Sequence, residues 1–187
     1  MIKVKKFKLA ENLIGQVVPD SANGHAGRYV EQLLVEMGVP INFGHGPDIE
    51  AIGLEVKTRD LDATSPQTIA DMNPEDIIST DYKDSHVYKK FQQQLRVYIR
   101  DNVIVSAEVY DFSAPPVQEL VERAYNHAKA QLVKNPELTR TAYTGEYGYF
   151  ERVSNHRRSL SFRLSKDDMA TLEGLARSEY KNLFEYA

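Results

Sequence analysis

Apolar positions along this chain follow two spacings, a helical one near 3.6 and a strand one of 2, with Pro and Gly at most changeovers. Tyr29, Val30, Leu33, Leu34 and Met37 form a helical stripe. They predict a helix over residues 25–37, capped by Gly38 and stopped by Pro40. A shorter helix is expected over residues 9–18, ending near Pro19, followed by a loop over 19–24. Val117, Leu120, Val121, Ala124, Ala128 and Leu132 make the apolar face of a long helix that begins at Ser113. Pro115 and Pro116 suit its first turn, and Asn135-Pro136 ends it. Ser165 starts a last helix through a capping box with Asp168, with Met169, Leu172, Leu175 and Ala176 facing inward.

Alternation of period 2 marks the strands. Residues 52–59 read as a central strand, with Leu54 and Val56 on one face and Glu55 and Lys57 on the other. Residues 94–100 and 103–110 read as a hairpin, because Asp101-Asn102 suits a tight turn. Further strands are expected at 65–71, 149–153 and 159–164. Residues 1–8 alternate apolar and Lys, as an edge strand or an arm. Residues 41–46 read as a short strand or loop, 71–84 as polar and irregular, and 139–148 as a loop. The whole chain, 1–187, is expected to form one α/β domain, a central mixed sheet with helices on both sides.

Composition narrows the class. A hydrophobic content of 42% with 27% charged residues is that of a water-soluble domain. There are no cysteines, which excludes disulfides and thiolate metal sites and is compatible with a reducing, cytoplasmic setting. No apolar run reaches the length of a membrane span, and the basic start lacks the apolar core of a signal peptide. The net charge of −4 does not advertise nucleic-acid binding, so charge placement matters more. Arg152, Arg157, Arg158, Arg163 and Lys166 fall in one stretch without an acid. The polar turn 154–159 holds Asn155, Arg157 and Arg158, side chains suited to phosphates and base edges.

The chemistry concentrates at residues 47–58. Asp48 follows the turn signal Gly46-Pro47, Glu55 stands seven positions on, and Lys57 shares the strand face of Glu55. Two carboxylates and an amine converging at a sheet edge suit metal-assisted phosphodiester hydrolysis. Oxygen ligands fit Mg²⁺, which takes one or two carboxylates together with phosphate oxygens. Lys57 is then placed to stabilise the transition state or position the attacking water. A bare Glu-x-Lys is also an ordinary solubilised strand. His45 lies next to the site, but the five His show no paired metal-ligand spacing.

Pro47-Asp48 followed by Gly53-Leu54-Glu55-Val56-Lys57-Thr58 resembles the PD-(D/E)xK nuclease superfamily, most closely the MutH-type mismatch-repair nicking endonucleases and their GATC-cutting restriction relatives. Upstream, residues 23–31 resemble that family's Gly-containing helix start with an inward Glu, here Glu31. The resemblance covers about residues 9–60. It implies the restriction-endonuclease-like fold, with Asp48 and Glu55 as metal ligands, Lys57 as a catalytic cation and Glu31 beside the metal or its water. Gln94 and Tyr98 also resemble a Gln-x-x-x-Tyr motif of RecB-type nucleases, although that motif lies on a helix and this stretch reads as a strand. Lys89 and Lys90 are either an exposed basic pair or the source of a second active-site cation.

The expectation is a Mg²⁺-dependent endonuclease (with Mn²⁺ able to substitute) acting on double-stranded DNA, with no membrane partner. Cutting is expected to be sequence-specific, of restriction or nicking type. Gln94, Arg157, Arg158 and Arg163 are the candidate DNA contacts. A homodimer or an activating protein partner is compatible with this reading. The alternatives are a structure-specific nuclease, such as a junction resolvase or exonuclease of the same superfamily, and a non-catalytic DNA-binding protein.

Overall fold

The computed structural model describes residues 9–19, 26–42, 47–142, 147–153 and 158–184, with side chains described as far as residue 176. The expectations for residues 1–8, His25, His45, Asn155 and Arg157 lie outside these. The protein is mixed α/β and divides into two compact units. The first comprises residues 1–63 and 92–111, and the second residues 64–91 and 112–187. Among the described residues, no helix is long and apolar enough to cross a membrane.

In the first unit, helix α1 occupies residues 9–13 and α2 Ala26–Glu36. Strand β1 (Glu55–Asp60) pairs in parallel with β3 (Gln93–Arg100), which pairs antiparallel with β4 (Val103–Asp111). The expected β3–β4 hairpin is present, and its turn is left-handed at both Asp101 (φ 49) and Asn102 (φ 60). Short polar side chains tolerate that conformation, and it matches the twist of the flanking strands. One sheet face carries Val56, Leu95, Val97 and Ala107 into a core with Leu13, Val30, Leu33 and Leu34 from α1 and α2. The first helix is shorter than expected. Past residue 13 the chain turns, and Val17 makes an antiparallel bridge to Val103.

In the second unit, β2 (Gln67–Met72), β6 (Leu160–Leu164) and β5 (Tyr149–Glu151) form an antiparallel sheet in the order β2-β6-β5. The strands thus divide between two three-stranded sheets instead of sharing one central sheet. Helices α3 (Pro74–Ser79), α4 (His86–Lys90), α5 (Pro115–Lys134) and α6 (Lys166–Phe184) complete the unit. The interval 71–84, read as irregular, contains α3 and a 3-10 turn at Tyr82–Asp84. Its many exposed acids obscure two apolar anchors, Ile77 and Tyr82, which are both buried. The Tyr82 hydroxyl donates to Gln118 Oε1 at 2.8 Å, and Gln118 Nε2 donates to the carbonyls of Phe91 and Phe112. Tyr82, Tyr125, Phe150 and Phe162 then make a chain of ring contacts through the core. Burial pushes the Tyr125 hydroxyl up to about 12, so it stays a neutral donor. Ser165 caps α6 as expected, its Oγ accepting from the Asp168 N–H at 3.1 Å.

Candidate functional site

The site begins with a tight reversal of the chain. Ile49 and Leu54 exchange backbone hydrogen bonds of 2.8 and 3.1 Å around a 3-10 turn at Glu50–Ile52. Gly53 closes that turn in the left-handed region at φ 62, which is why a residue without a Cβ belongs there. The reversal folds Asp48 back beside β1, where its Oδ2 accepts from the Val56 N–H at 2.8 Å. The seven-residue spacing from Asp48 to Glu55 therefore closes in space.

Glu55 and Lys57 project from one face of β1, two residues apart, as the alternation predicts. Glu55 is only 1% exposed. Lys57 Nζ donates to Glu55 Oε1 at 2.8 Å, an ion pair shielded from solvent on the carboxylate side. Leu54 and Val56 turn the other way, into the core.

Glu31 reaches the same place from α2. It is half-buried, one position from core residue Val30. Its carboxyl is held above the usual range, first by loss of hydration and then by repulsion from Asp48 and Glu55, while Lys57 and Arg28 partly offset this. Side chains from α2, the reversal and β1 thus lie within electrostatic reach of one another. Glu36 is exposed and accepts from Gln32 Nε2 at 3.1 Å, as a surface residue does.

Among the described residues, no group of three or more His, Asp or Glu side chains is placed to hold a metal ion by itself. The donors on offer are the carboxylates of Asp48 and Glu55. Hard oxygen donors in that number fit Mg²⁺, which completes its shell with water and phosphate oxygens.

The candidate DNA contacts divide between the two units. Gln94 is fully buried on β3, in register with Glu55, and its Oε1 accepts from Arg96 Nη1 at 3.2 Å. The amide is thus enclosed within the first unit's sheet. Arg163, on β6 of the second unit, donates to Glu151 Oε2 at 2.8 Å and to the Pro66 carbonyl at 2.7 Å. It serves that unit's structure. Arg158 is exposed, and Arg157 lies outside the described residues. Lys89 and Lys90 close α4.

Two residues here escape a reading of the sequence. Arg96, in register with Lys57, is 1% exposed and donates from Nε to the Tyr98 hydroxyl at 3.1 Å. The signal for it is the polar alternation Gln94, Arg96, Tyr98 opposite Leu95, Val97 and Ile99. Arg28 stands three residues before Glu31, the spacing that puts two side chains on one helix face. The sequence matches no protein-family model, and no curated protein matches it.

Proposed function

We propose that the protein is a Mg²⁺-dependent endonuclease that hydrolyses phosphodiester bonds of double-stranded DNA, a PD-(D/E)xK nuclease with a restriction-endonuclease-like fold and closest in kind to the MutH-type enzymes. The observation that supports this reading is the reversal that folds Asp48 back against β1 next to the Glu55–Lys57 pair, within electrostatic reach of Glu31. Like charges are brought together at a cost, and such crowding is characteristic of sites that bind cations or perform chemistry.

On this reading Asp48 and Glu55 hold the ion, which supplies Lewis acidity toward the phosphate. The Val56 N–H fixes the Asp48 carboxylate in advance, so little reorganisation is needed. Lys57 donates to the phosphate as negative charge develops on its oxygens. Glu31, whose carboxyl holds a proton more readily than usual, orients the attacking water and accepts its proton.

Incubation with supercoiled plasmid and Mg²⁺ or Mn²⁺, followed by mapping of the ends, tests the proposal. Nicked or linear product with fixed ends supports a sequence-specific endonuclease. Product with scattered ends points to a structure-specific or nonspecific nuclease, and intact plasmid under both metals removes the activity.

A further inference from the structure

Arg28, Glu31, Gln32 and Val35 occupy positions i, i+3, i+4 and i+7 of α2, a single stripe along the helix. They line an open groove of about 570 Å³. Glu31 belongs to the candidate site, so the groove leads away from it along the helix. Arg28 is exposed, and among the described residues it has no carboxylate within ion-pair distance. Gln32 is held by its bond to Glu36, and Val35 is 49% exposed at the far end.

Charge decides what this groove accepts. The Glu31 carboxyl is repelled by Asp48 and Glu55 and attracted by Lys57 and Arg28. A divalent ion held by Asp48 and Glu55 would add positive charge there, which suits a phosphodiester. Lys57 is engaged with the buried Glu55, whereas Arg28 is exposed. A guanidinium there has the planar donor geometry that phosphate oxygens fit. One helical turn separates it from Glu31, about 5 Å along the axis. That offset sets it beside the reacting phosphate rather than on it.

We infer that Arg28 clamps the backbone phosphate next to the scissile one. The inference rests on the nuclease reading and adds to it a binding residue outside the Asp48, Glu55 and Lys57 set.

The test compares wild type, Arg28→Ala and Arg28→Lys in binding to a random-sequence duplex with Ca²⁺ across several salt concentrations, and in plasmid cleavage with Mg²⁺. Backbone contacts are independent of sequence, so no recognition site need be known. Arg28→Ala is expected to weaken binding about 3–10-fold and to reduce the salt slope by about 1, with the loss of cleavage appearing in KM. Arg28→Lys keeps the charge and should restore the slope. Once the ends are mapped, ethylation of one phosphate beside the cut should block wild type and not Arg28→Ala. A cutting wild type with an unchanged slope and KM in Arg28→Ala overturns the inference alone. A loss confined to kcat also overturns it, because Arg28 would then act on the reacting phosphate. A wild type that neither binds nor cuts DNA removes the nuclease reading, and the inference falls with it.

Discussion

Two clusters of charged side chains, a different one in each unit, are built differently. In the second unit, Glu151 receives Arg163 at 2.8 Å and Arg140 at 3.5 Å. Arg163 also satisfies the Pro66 carbonyl, and the Arg140 guanidinium lies 4.8 Å from the centre of the Tyr149 ring. Every charge there has a nearby counterpart on the same small sheet. In the first unit, the Glu31 carboxyl is repelled by two further carboxylates, Asp48 and Glu55, and Glu55 pairs with Lys57 at 2.8 Å. Glu31 bears the cost in a carboxyl that ionises reluctantly. The lesson is that the presence of charge alone does not set the two clusters apart. Opposed charges at bonding distance cement a fold, whereas like charges near one another raise the cost of ionising a carboxyl.

The sharpest way to break this contrast is to remove the carboxylates. Asp48→Asn and Glu55→Gln should each abolish plasmid cleavage while thermal unfolding stays cooperative, since shedding a like charge relieves repulsion. Near wild-type cutting by either variant removes that residue from the site. Lys57→Ala should slow cleavage at least about 100-fold with DNA binding retained, the scale for losing one donor to a developing anion. Single-turnover rates at saturating enzyme measure it.

The second cluster should answer in stability instead. Arg163→Ala leaves Glu151 and the Pro66 carbonyl short of a donor and should cost about 1–3 kcal/mol in urea unfolding. Its cleavage rate and salt slope should stay at wild-type values below the unfolding transition. A loss of DNA affinity without loss of stability would make Arg163 a DNA contact instead.

The smallest effect concerns Glu31. Its folded-state carboxyl titrates above the ordinary value, so folding is opposed by ionisation. That penalty is absent below the ordinary carboxylate range, grows as pH rises through the raised value, and is constant above it. Glu31→Gln should therefore be more stable than wild type at neutral pH, with the gain fading in acid. Denaturation midpoints across pH measure this, and a gain that persists unchanged in acid would mean that repulsion is not its source. The same variant should cleave more slowly than wild type but faster than Lys57→Ala.

Much of the local structure was legible in the residues alone. The Asp101-Asn102 turn, the long helix α5, the Ser165 cap and the alternation of Glu55 and Lys57 against Leu54 and Val56 depend on neighbours a few positions apart. Local sterics and period settle such features before any tertiary contact forms. Misreadings arose where local composition misled, as at 71–84, where exposed acids surround the buried Ile77 and Tyr82. The sequence could not say that the strands divide into two sheets, because strand pairing joins residues far apart in the chain, as Glu55 with Gln94 and Thr68 with Arg163. Nor could it decide that Gln94 and Arg163 turn to partners inside the protein. By itself the sequence determined which side chains could do chemistry and which face of β1 carries them. Only the tertiary structure brought Glu31 and Arg28 into the field of Asp48, Glu55 and Lys57, because that meeting depends on how α2 packs against β1 and not on any spacing along the chain.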